Sequence, residues 1–481
     1  MLISDDYFNS NKFRNLLQQY EASLESGSPA FMDADDLTDI ADYYQMTGDN
    51  GRAEATVDFA LRIYPGSLFP LVFKTRKALD NKNISLAEEY YEQIKDKNAF
   101  EANVLHAEII LCGGDMVAAE QELLHIYENL EDMDMDAETD DFCFCAAEMF
   151  FDRNEGKHAS EWLARIDDQE ATDVRELRGK ISFLLERYKE ASDIFQRLLD
   201  EDPYSEYYWN MKSTADYMNQ DYESALESID YALAINPDTP EALITKANTL
   251  FTTKNFEEAI KYYRKYLQFA PDDDFAVINI AISFCSLRKT EAAKHFFCWL
   301  IKHADGCNPK NVLRAYQEMA LILNDENNVD EAIRFLDESK KYGDDDTETE
   351  IMKGHIYLSN GMVNESHSQF IKAFSMSEDY HNTLIKIMMS MLDCGCYDSV
   401  YDIFTKYRNG HKEGALKGGF GYMAMCCMEL KRYDEAKEYL KLAERICPEE
   451  LRIAFYNMLP HDIQEKDIFK YITNKIENKE L

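Results

Sequence analysis

Five acids alternate along one stretch of the chain, Asp132, Asp134, Asp136, Glu138 and Asp140, as the oxygen ligands of a calcium loop do. Such a loop also needs a glycine at its sixth place for the sharp turn and a glutamate at its twelfth to hold the ion through both oxygens. Counted from Asp132, those places hold Ala137 and Cys143, so the stretch reads as an acidic, solvated loop. Thiols are the next candidates. Cys143-Phe144-Cys145 and Cys394-Gly395-Cys396 each bring two sulfurs close in sequence, but neither is a CxxC unit with a second pair at zinc spacing. The first lies in a helical pattern, where alternate residues point apart, and the second flanks a turn glycine. The ten histidines include no HExxH, and no serine or cysteine sits in a nucleophile setting. Gly414-Ala415-Leu416-Lys417-Gly418-Gly419 lacks both the residue order and the preceding strand of a phosphate loop. These residues imply no catalytic centre, no metal site and no cofactor. The expectation is a chain that is not an enzyme.

The elements that would position any such residues follow one period. Pro203, Pro237 and Pro271 stand 34 residues apart, and Ala191, Ala225, Ala259 and Ala293 keep the same interval. Tyr188, Tyr222 and Phe256 each precede one of those alanines by three residues. A period of this length marks a helix–turn–helix unit copied along the chain. Residues 240–273 are its cleanest copy. Leu243, Ala247 and Leu250 form one helical stripe, and Phe256, Ala259, Ile260, Tyr263 and Leu267 form another. Thr253-Lys254-Asn255 breaks the two, and Pro271 ends the second. Short side chains at Ala247 and Ala259 let antiparallel helices approach, with Tyr263 filling the space beside them.

These residues resemble the tetratricopeptide repeat. Trp209, Gly179, Ala247, Ala225, Ala232 and Pro237 stand at the aromatic, small-residue and proline places of that motif. The resemblance implies an all-α, right-handed superhelical solenoid of helix pairs, with N- and C-terminal capping helices, that binds protein segments in its concave groove. The second-helix alanine, used as a ruler, recurs at Ala53, Ala87, Ala119, Ala159, Ala191, Ala225, Ala259, Ala293, Ala332, Ser366, Val400 and Ala436. About twelve pairs therefore cover nearly the whole chain. The organisation expected is an N-terminal cap over 1–30, an array over 33–448 and closing helices over 449–481. Ser26-Gly27-Ser28-Pro29 separates cap from array. Two intervals are long, and their extra residues are expected in inter-repeat loops around Glu131–Asp141 and His303–Asn311. The repeats around Thr75 and Met388 depart most from the motif.

With 51 lysines and arginines against 91 aspartates and glutamates, the net charge is −40. A charge of that sign repels nucleic acid and anionic membranes and is compatible with a basic or neutral protein segment. No run of about 18 apolar residues is present to span a bilayer. Met1-Leu2-Ile3-Ser4-Asp5-Asp6 lacks the basic start of a secretory signal. The 11 cysteines are scattered through helices rather than framing loops, so reduced thiols in a cytoplasmic protein are expected.

A second stripe on the first helices, opposite the packing one, carries the remaining signal. It holds Tyr207, Asn210, Met211 and Tyr217; then Ile244, Asn248 and Phe251; then Phe275, Ile278, Asn279 and Ile282; then Arg314, Gln317 and Leu321. Aromatic and aliphatic groups suit a peptide's side chains, and amides suit its backbone. By the resemblance this stripe lines the groove. Asn248, Asn279 and Arg314 then occupy places of the clamp by which chaperone-binding members hold a carboxylate tail, while Ile244 and Glu318 stand where two further cations belong. Such a degenerate clamp should not hold a carboxylate strongly. The function expected is a non-catalytic protein-interaction scaffold that binds a peptide through Tyr207, Asn210, Tyr217, Ile244, Asn248, Phe251, Phe275, Asn279 and Arg314. Alternatives are a peptide-sensing regulator and a co-chaperone-like adaptor.

Overall fold

The computed structural model describes residues 5–8, 10–26, 32–132, 136–343, 346–410, 416–460 and 463–477. Among them every regular element is a helix. The break at Gly27-Ser28-Pro29, the acid Asp134 and the pair Gly414-Ala415 lie outside the described residues. No helix of the described residues is long and apolar enough to cross a membrane.

The chain divides into two compact units, Met1–Pro237 and Asp238–Leu481. In the first, the helix Asn11–Ser26 precedes six helix pairs. These are Ala34–Met46 with Asn50–Ile63, Leu68–Asp80 with Ile84–Glu92, and Phe100–Cys112 with Met116–Asp132. Then come Asp136–Asp152 with Gly156–Leu163, Thr172–Leu184 with Tyr188–Glu201, and Glu206–Met218 with Tyr222–Ile235. The second unit has six more: Pro240–Thr252 with Phe256–Tyr266, Asp274–Ser286 with Thr290–Lys302, and Pro309–Asp325 with Val329–Ser339. Thr347–Ser359 with Val363–Met376, Tyr380–Asp393 with Tyr397–Asn409, and Phe420–Glu429 with Tyr433–Ile446 complete it. Pro448–Ala454 and Glu465–Glu477 close the unit.

Each pair is welded at two buried positions, small in all but one pair. All twelve ruler residues, from Ala53 to Ala436, are buried, with Ser366 and Val400 in the same place as the alanines. Twelve residues before each of them, on the facing first helix, lies a second buried position. Ala247 and Ala281 fill it in two pairs, Gly179 and Gly354 in two others. A Cβ added at Gly179 would sit 2.9 Å from the Phe195 ring, so no larger residue fits without moving that ring. Thr75 and Met388 occupy the same place and are fully buried, which fixes the register where the sequence motif is weakest. The Thr75 hydroxyl is satisfied within its own helix by donating to the Leu71 carbonyl at 2.8 Å.

The turns inside the pairs are equally regular. A left-handed residue stands five before each ruler position: Gly48, Lys82, Gly114, Asn154, Glu186, Gln220, Lys254, Arg288, Asn327, Gly361, Gly395 and Lys431. At Lys254 the geometry is a Schellman turn. Its N–H donates to Phe251 O at 3.0 Å, and Asn255 N–H donates to Leu250 O at 2.8 Å, satisfying carbonyls that the helix end leaves free. Only four of these twelve turns use glycine, although the left-handed conformation costs other residues about 1 kcal/mol.

The longer intervals are accommodated differently from the loop expectation. Met116–Asp132, Asp136–Asp152 and Pro309–Asp325 each run to 17 residues, so helix extension takes up much of the extra length. A short 3-10 turn, Ala304–Gly306, takes up more of it before Pro309–Asp325. Calcium-like alternation around Asp132 to Asp140 thus falls largely on two helix ends rather than on a loop.

At the N-terminal end, Phe8, Phe13 and Tyr20 are buried against Leu37, Ile40 and Ala41 of the first pair. Met423 and Met428 belong to the core of the last pair together with Cys426 and Cys427.

Candidate functional site

In unit 1, Ala34–Met46 meets Leu68–Asp80, which meets Phe100–Cys112, and Asp136–Asp152 meets Thr172–Leu184. In unit 2 the same row runs unbroken from Pro240–Thr252 to Phe420–Glu429. Positions 18 and 11 before the ruler residue lie seven apart, two turns of helix, and so share one face of each first helix except the last, where Gly418 precedes the helix. In unit 1 they read Asp35 and Asp42, Phe69 and Arg76, Glu101 and Glu108, Asp141 and Glu148, Asp173 and Lys180, Tyr207 and Thr214. In unit 2 they read Glu241 and Asn248, Phe275 and Ile282, Arg314 and Leu321, Glu348 and His355, Asn382 and Met389, Gly418 and Met425.

The unit 1 face is short of cations. Arg76 is bound to Glu108 at 3.2 Å, and Lys180 to Glu176 at 2.7 Å, with the Lys180 ammonium 5.6 Å from the centre of the Tyr207 ring. The carboxyls left over crowd one another. Burial, then the Asp39 charge, pushes Asp42 up to about 6 against the opposing pull of Arg76. Burial and the neighbouring Asp152 raise Glu148, with Lys180 opposing. Asp35, Asp36 and Asp39 are raised too, by burial first and by each other's charge. This row was missed in the sequence. Its signal was present, because carrying the register of Glu241 and Asn248 back through the alanine ruler lands on these acids.

The nine expected peptide-binding residues divide between the units. Tyr207, Asn210 and Tyr217 lie on Glu206–Met218 in unit 1. Tyr207 is 40% exposed, and Tyr217 packs its ring 5.8 Å from that of Tyr222. The Asn210 side-chain oxygen is buried and accepts no hydrogen bond, so it does not lie on an open face.

In unit 2 the expected exposed stripe is partly used up internally. Asn248 accepts a 2.7 Å hydrogen bond from the Tyr263 hydroxyl, tying it into its own pair. Phe251 makes edge contacts with Phe256 and Tyr263, and Ile244 is half-buried. Asn279 is only 7% exposed, so it belongs to the packing between helices more than to an open face. Phe275, at 48% exposure, remains available. Arg314 is exposed but pairs with Glu318 at 2.6 Å. The residue that displaces a cation from the clamp therefore also answers the charge of the one cation that is left.

The chemical candidates take structural places. Cys143 is buried while Cys145 is half-exposed, as expected for alternate residues on a helix. Gly395, between Cys394 and Cys396, is the left-handed turn residue of its pair. Among the described residues no three His, Cys, Asp or Glu side chains group so as to hold a metal ion. The most elaborate polar cluster is internal. The Lys212 ammonium donates to Asp216 at 2.7 Å, and Ser192 and Ser224 donate to the same carboxylate at 2.5 and 2.7 Å. With every member of this buried network satisfied, it positions the pairs rather than attacking a substrate.

Two segments match models of the tetratricopeptide repeat, residues 210–274 and 423–450. Sperm-associated antigen 1 of Rattus norvegicus is 32% identical over 116 residues, 24% of this chain and 13% of that protein. Its Mus musculus counterpart is 33% identical over 99 residues, 21% of this chain and 11% of that protein. The match thus spans a small part of either relative. A solved tetratricopeptide repeat protein from Parabacteroides merdae is similar over 61% of this chain and 98% of its own, with 13% identity and a TM-score of 0.36. PilW, a type IV pilus biogenesis factor, is similar over 45% of this chain and 99% of its own, with 16% identity and a TM-score of 0.36.

Proposed function

The chain is a tetratricopeptide repeat protein, and from that premise we propose that it is a non-catalytic scaffold holding protein segments along its first-helix face. In unit 1 the segment is basic. The observation that carries this reading is the row of Asp42, Glu101, Glu108, Asp141 and Glu148, whose neighbours on the same face supply only Arg76 and Lys180. Asp42 and Glu148, raised by burial and by a neighbouring acid, gain when a lysine or arginine from outside arrives, because a nearby cation favours their charged form. Tyr207 offers an exposed ring at the end of that row.

On the unit 2 face the same scaffold role rests on Phe275 and on what remains of Ile244, Asn248, Phe251, Asn279 and Arg314. Its affinity is apolar in character, and the paired Arg314 makes capture of a carboxylate tail the weaker alternative.

The test is titration of a fluorescent lysine- and arginine-rich peptide with the full chain, beside an acidic peptide of equal length. Binding of the basic peptide alone is expected, weakening with salt as exposed charges are screened over about 10 Å at 0.1 M. It should also weaken as the pH falls through about 6, where Asp42 takes up a proton. Replacing Asp42, Glu108 and Glu148 together by their amides should lower affinity about tenfold, at roughly 0.5 kcal/mol per exposed ion pair. Equal binding of both peptides, or an unaffected triple variant, would remove the basic segment from unit 1.

A further inference from the structure

The glycine-rich stretch that fails as a phosphate loop has a different use. At the start of the helix Phe420–Glu429, the Gly419 N–H donates to Glu450 Oε1 at 2.6 Å, and the Gly421 N–H donates to Glu450 Oε2 at 2.9 Å. Both carboxylate oxygens are therefore held by backbone amides at a helix N-terminus, where the dipole favours negative charge. The carboxylate is not at the surface, since Glu450 is 8% exposed.

Gly418, Gly419 and Gly421 are each required by this contact or by the turn that makes it. A Cβ at Gly418 would stand 2.6 Å from Glu450 Oε1. One at Gly421 would stand 2.8 Å from Glu450 Cβ and 3.0 Å from its backbone carbon. Gly419 has φ +89, a conformation that L side chains avoid, and a Cβ there would meet the Phe404 ring at 2.7 Å. The Cys447 thiol beside the carboxylate is pushed up to about 12, by burial first and then by Glu450, so it stays protonated.

Glu450 lies on Pro448–Ala454, which packs against the first helix Phe420–Glu429 as the next first helix of the array would. Leu451 and Phe455 bury their side chains in the same core, followed by Ile468 and Ile472 of the closing helix. Six pairs of unit 2 thus end on a segment seated by one carboxylate and a row of apolar groups.

We infer that Gly418-Gly419-Phe420-Gly421 is a carboxylate receptor whose resident ligand is the chain's own Glu450, and that emptying it creates a site for a small carboxylate from solution. The occupied receptor is the polar lock that seats the closing segment 448–477. This inference is independent of what the first-helix faces bind.

Formate is the probe. The full chain with Glu450→Ala is melted in sodium formate and in sodium chloride of equal ionic strength, beside the parent. The variant is expected to melt below the parent in chloride and to recover much of the loss in formate, while the parent responds alike to both salts. Formate acting no better than chloride on the variant would overturn the receptor. Should the alanine variant fail to fold, Glu450→Gln keeps the side chain's shape but turns an amide donor toward one of the two N–H groups. Hydrogen exchange at Gly419 and Gly421 is then expected to quicken about tenfold, the consequence of one lost charged hydrogen bond. Unchanged exchange at both amides would overturn the lock.

Discussion

The two units share one packing scheme and differ in how they handle charge. Unit 1 holds 20 lysines and arginines against 51 aspartates and glutamates, a net −31, whereas unit 2 holds 31 against 40, a net −9. The difference is concentrated on one face. At the paired first-helix positions, unit 1 places Asp35, Asp42, Glu101, Glu108, Asp141, Glu148 and Asp173, and unit 2 places only Glu241 and Glu348. Where unit 2 does enclose a carboxylate it supplies partners. Glu350, wholly unexposed, is bound by Lys340 and, at 2.8 Å, by Lys372; Glu348 is bound by Lys386; Glu450 has its two amides. Unit 1 answers its deepest acid likewise, with Lys212 at Asp216, but leaves Asp42 beside Asp39 and Glu148 beside Asp152.

The largest expected effect is on the balanced side of this comparison. Replacing both Lys340 and Lys372 by methionine leaves the Glu350 carboxylate buried without its two ammonium partners and should cost about 3 kcal/mol in urea unfolding. A loss under 1 kcal/mol would mean that water, not lysine, stabilises that charge. These lysines hold Glu350 below the usual carboxylate range even though burial alone would raise it. Its contribution is therefore present above the unfolded pKa and is lost as the pH falls through the lowered one.

Packing should show no difference between the units. Ala191→Leu in unit 1 and Ala259→Leu in unit 2 each add bulk at a fully buried contact and should each cost about 2 kcal/mol. If thermal unfolding shows only one of them destabilised, the two units are not built on one scheme.

A smaller effect of opposite sign is expected from Asp42→Asn. The folded-state carboxyl is raised from 3.8 to about 6, so the folded chain holds that proton more tightly than the unfolded chain between those values. Stability from this group falls as the pH rises from about 4 to about 6 and returns on acidification. Removing the charge should therefore stabilise unit 1 by about 1 kcal/mol at pH 7, after allowance for solvent screening, and by nothing at pH 4. Hydrogen exchange across residues 34–46 at the two pH values measures this. A variant that exchanges faster at pH 7 would show that Arg76 already balances Asp42.

The smallest effect should again be common to both units. Glu186→Gly and Lys254→Gly relieve a left-handed side chain with φ 56 and φ 62 respectively, each for a gain of about 0.5 kcal/mol in denaturant unfolding. A loss at either position would mean that its side chain makes a contact worth more than the backbone strain.

Much of this was legible in the sequence because the period repeats the same steric demand. Ala53, Ala191, Ala259 and Ala436 can each be found by counting, and counting also locates the buried places that Ser366, Val400, Thr75 and Met388 fill without matching the motif. The loop expectation around Glu131–Asp141 failed for a local reason. The helices Met116–Asp132 and Asp136–Asp152 continue through much of the stretch instead of ending before it. The site was less legible. Asn248 and Asn279 share a stripe with Phe275, yet one gives its oxygen to Tyr263 and another is buried, and nothing in helical spacing tells an amide facing a partner from one facing a neighbouring helix.

The sequence by itself determined the helix pairs, their register and the total charge, because each follows from residues a fixed distance apart on one chain. Tertiary structure decided which charges are answered. Glu350 and Asp42 are both acids on first helices; the packing of separate elements brings two lysines to the first, whereas it buries the second beside Asp39 of its own helix with only Arg76 opposing. It also decided that Gly418, Gly419 and Gly421 hold a carboxylate, since Glu450 lies some thirty residues further along the chain and reaches them only once the closing segment has folded back. Charge interactions act through space over a few ångströms, and sequence spacing fixes such distances only within a single helix.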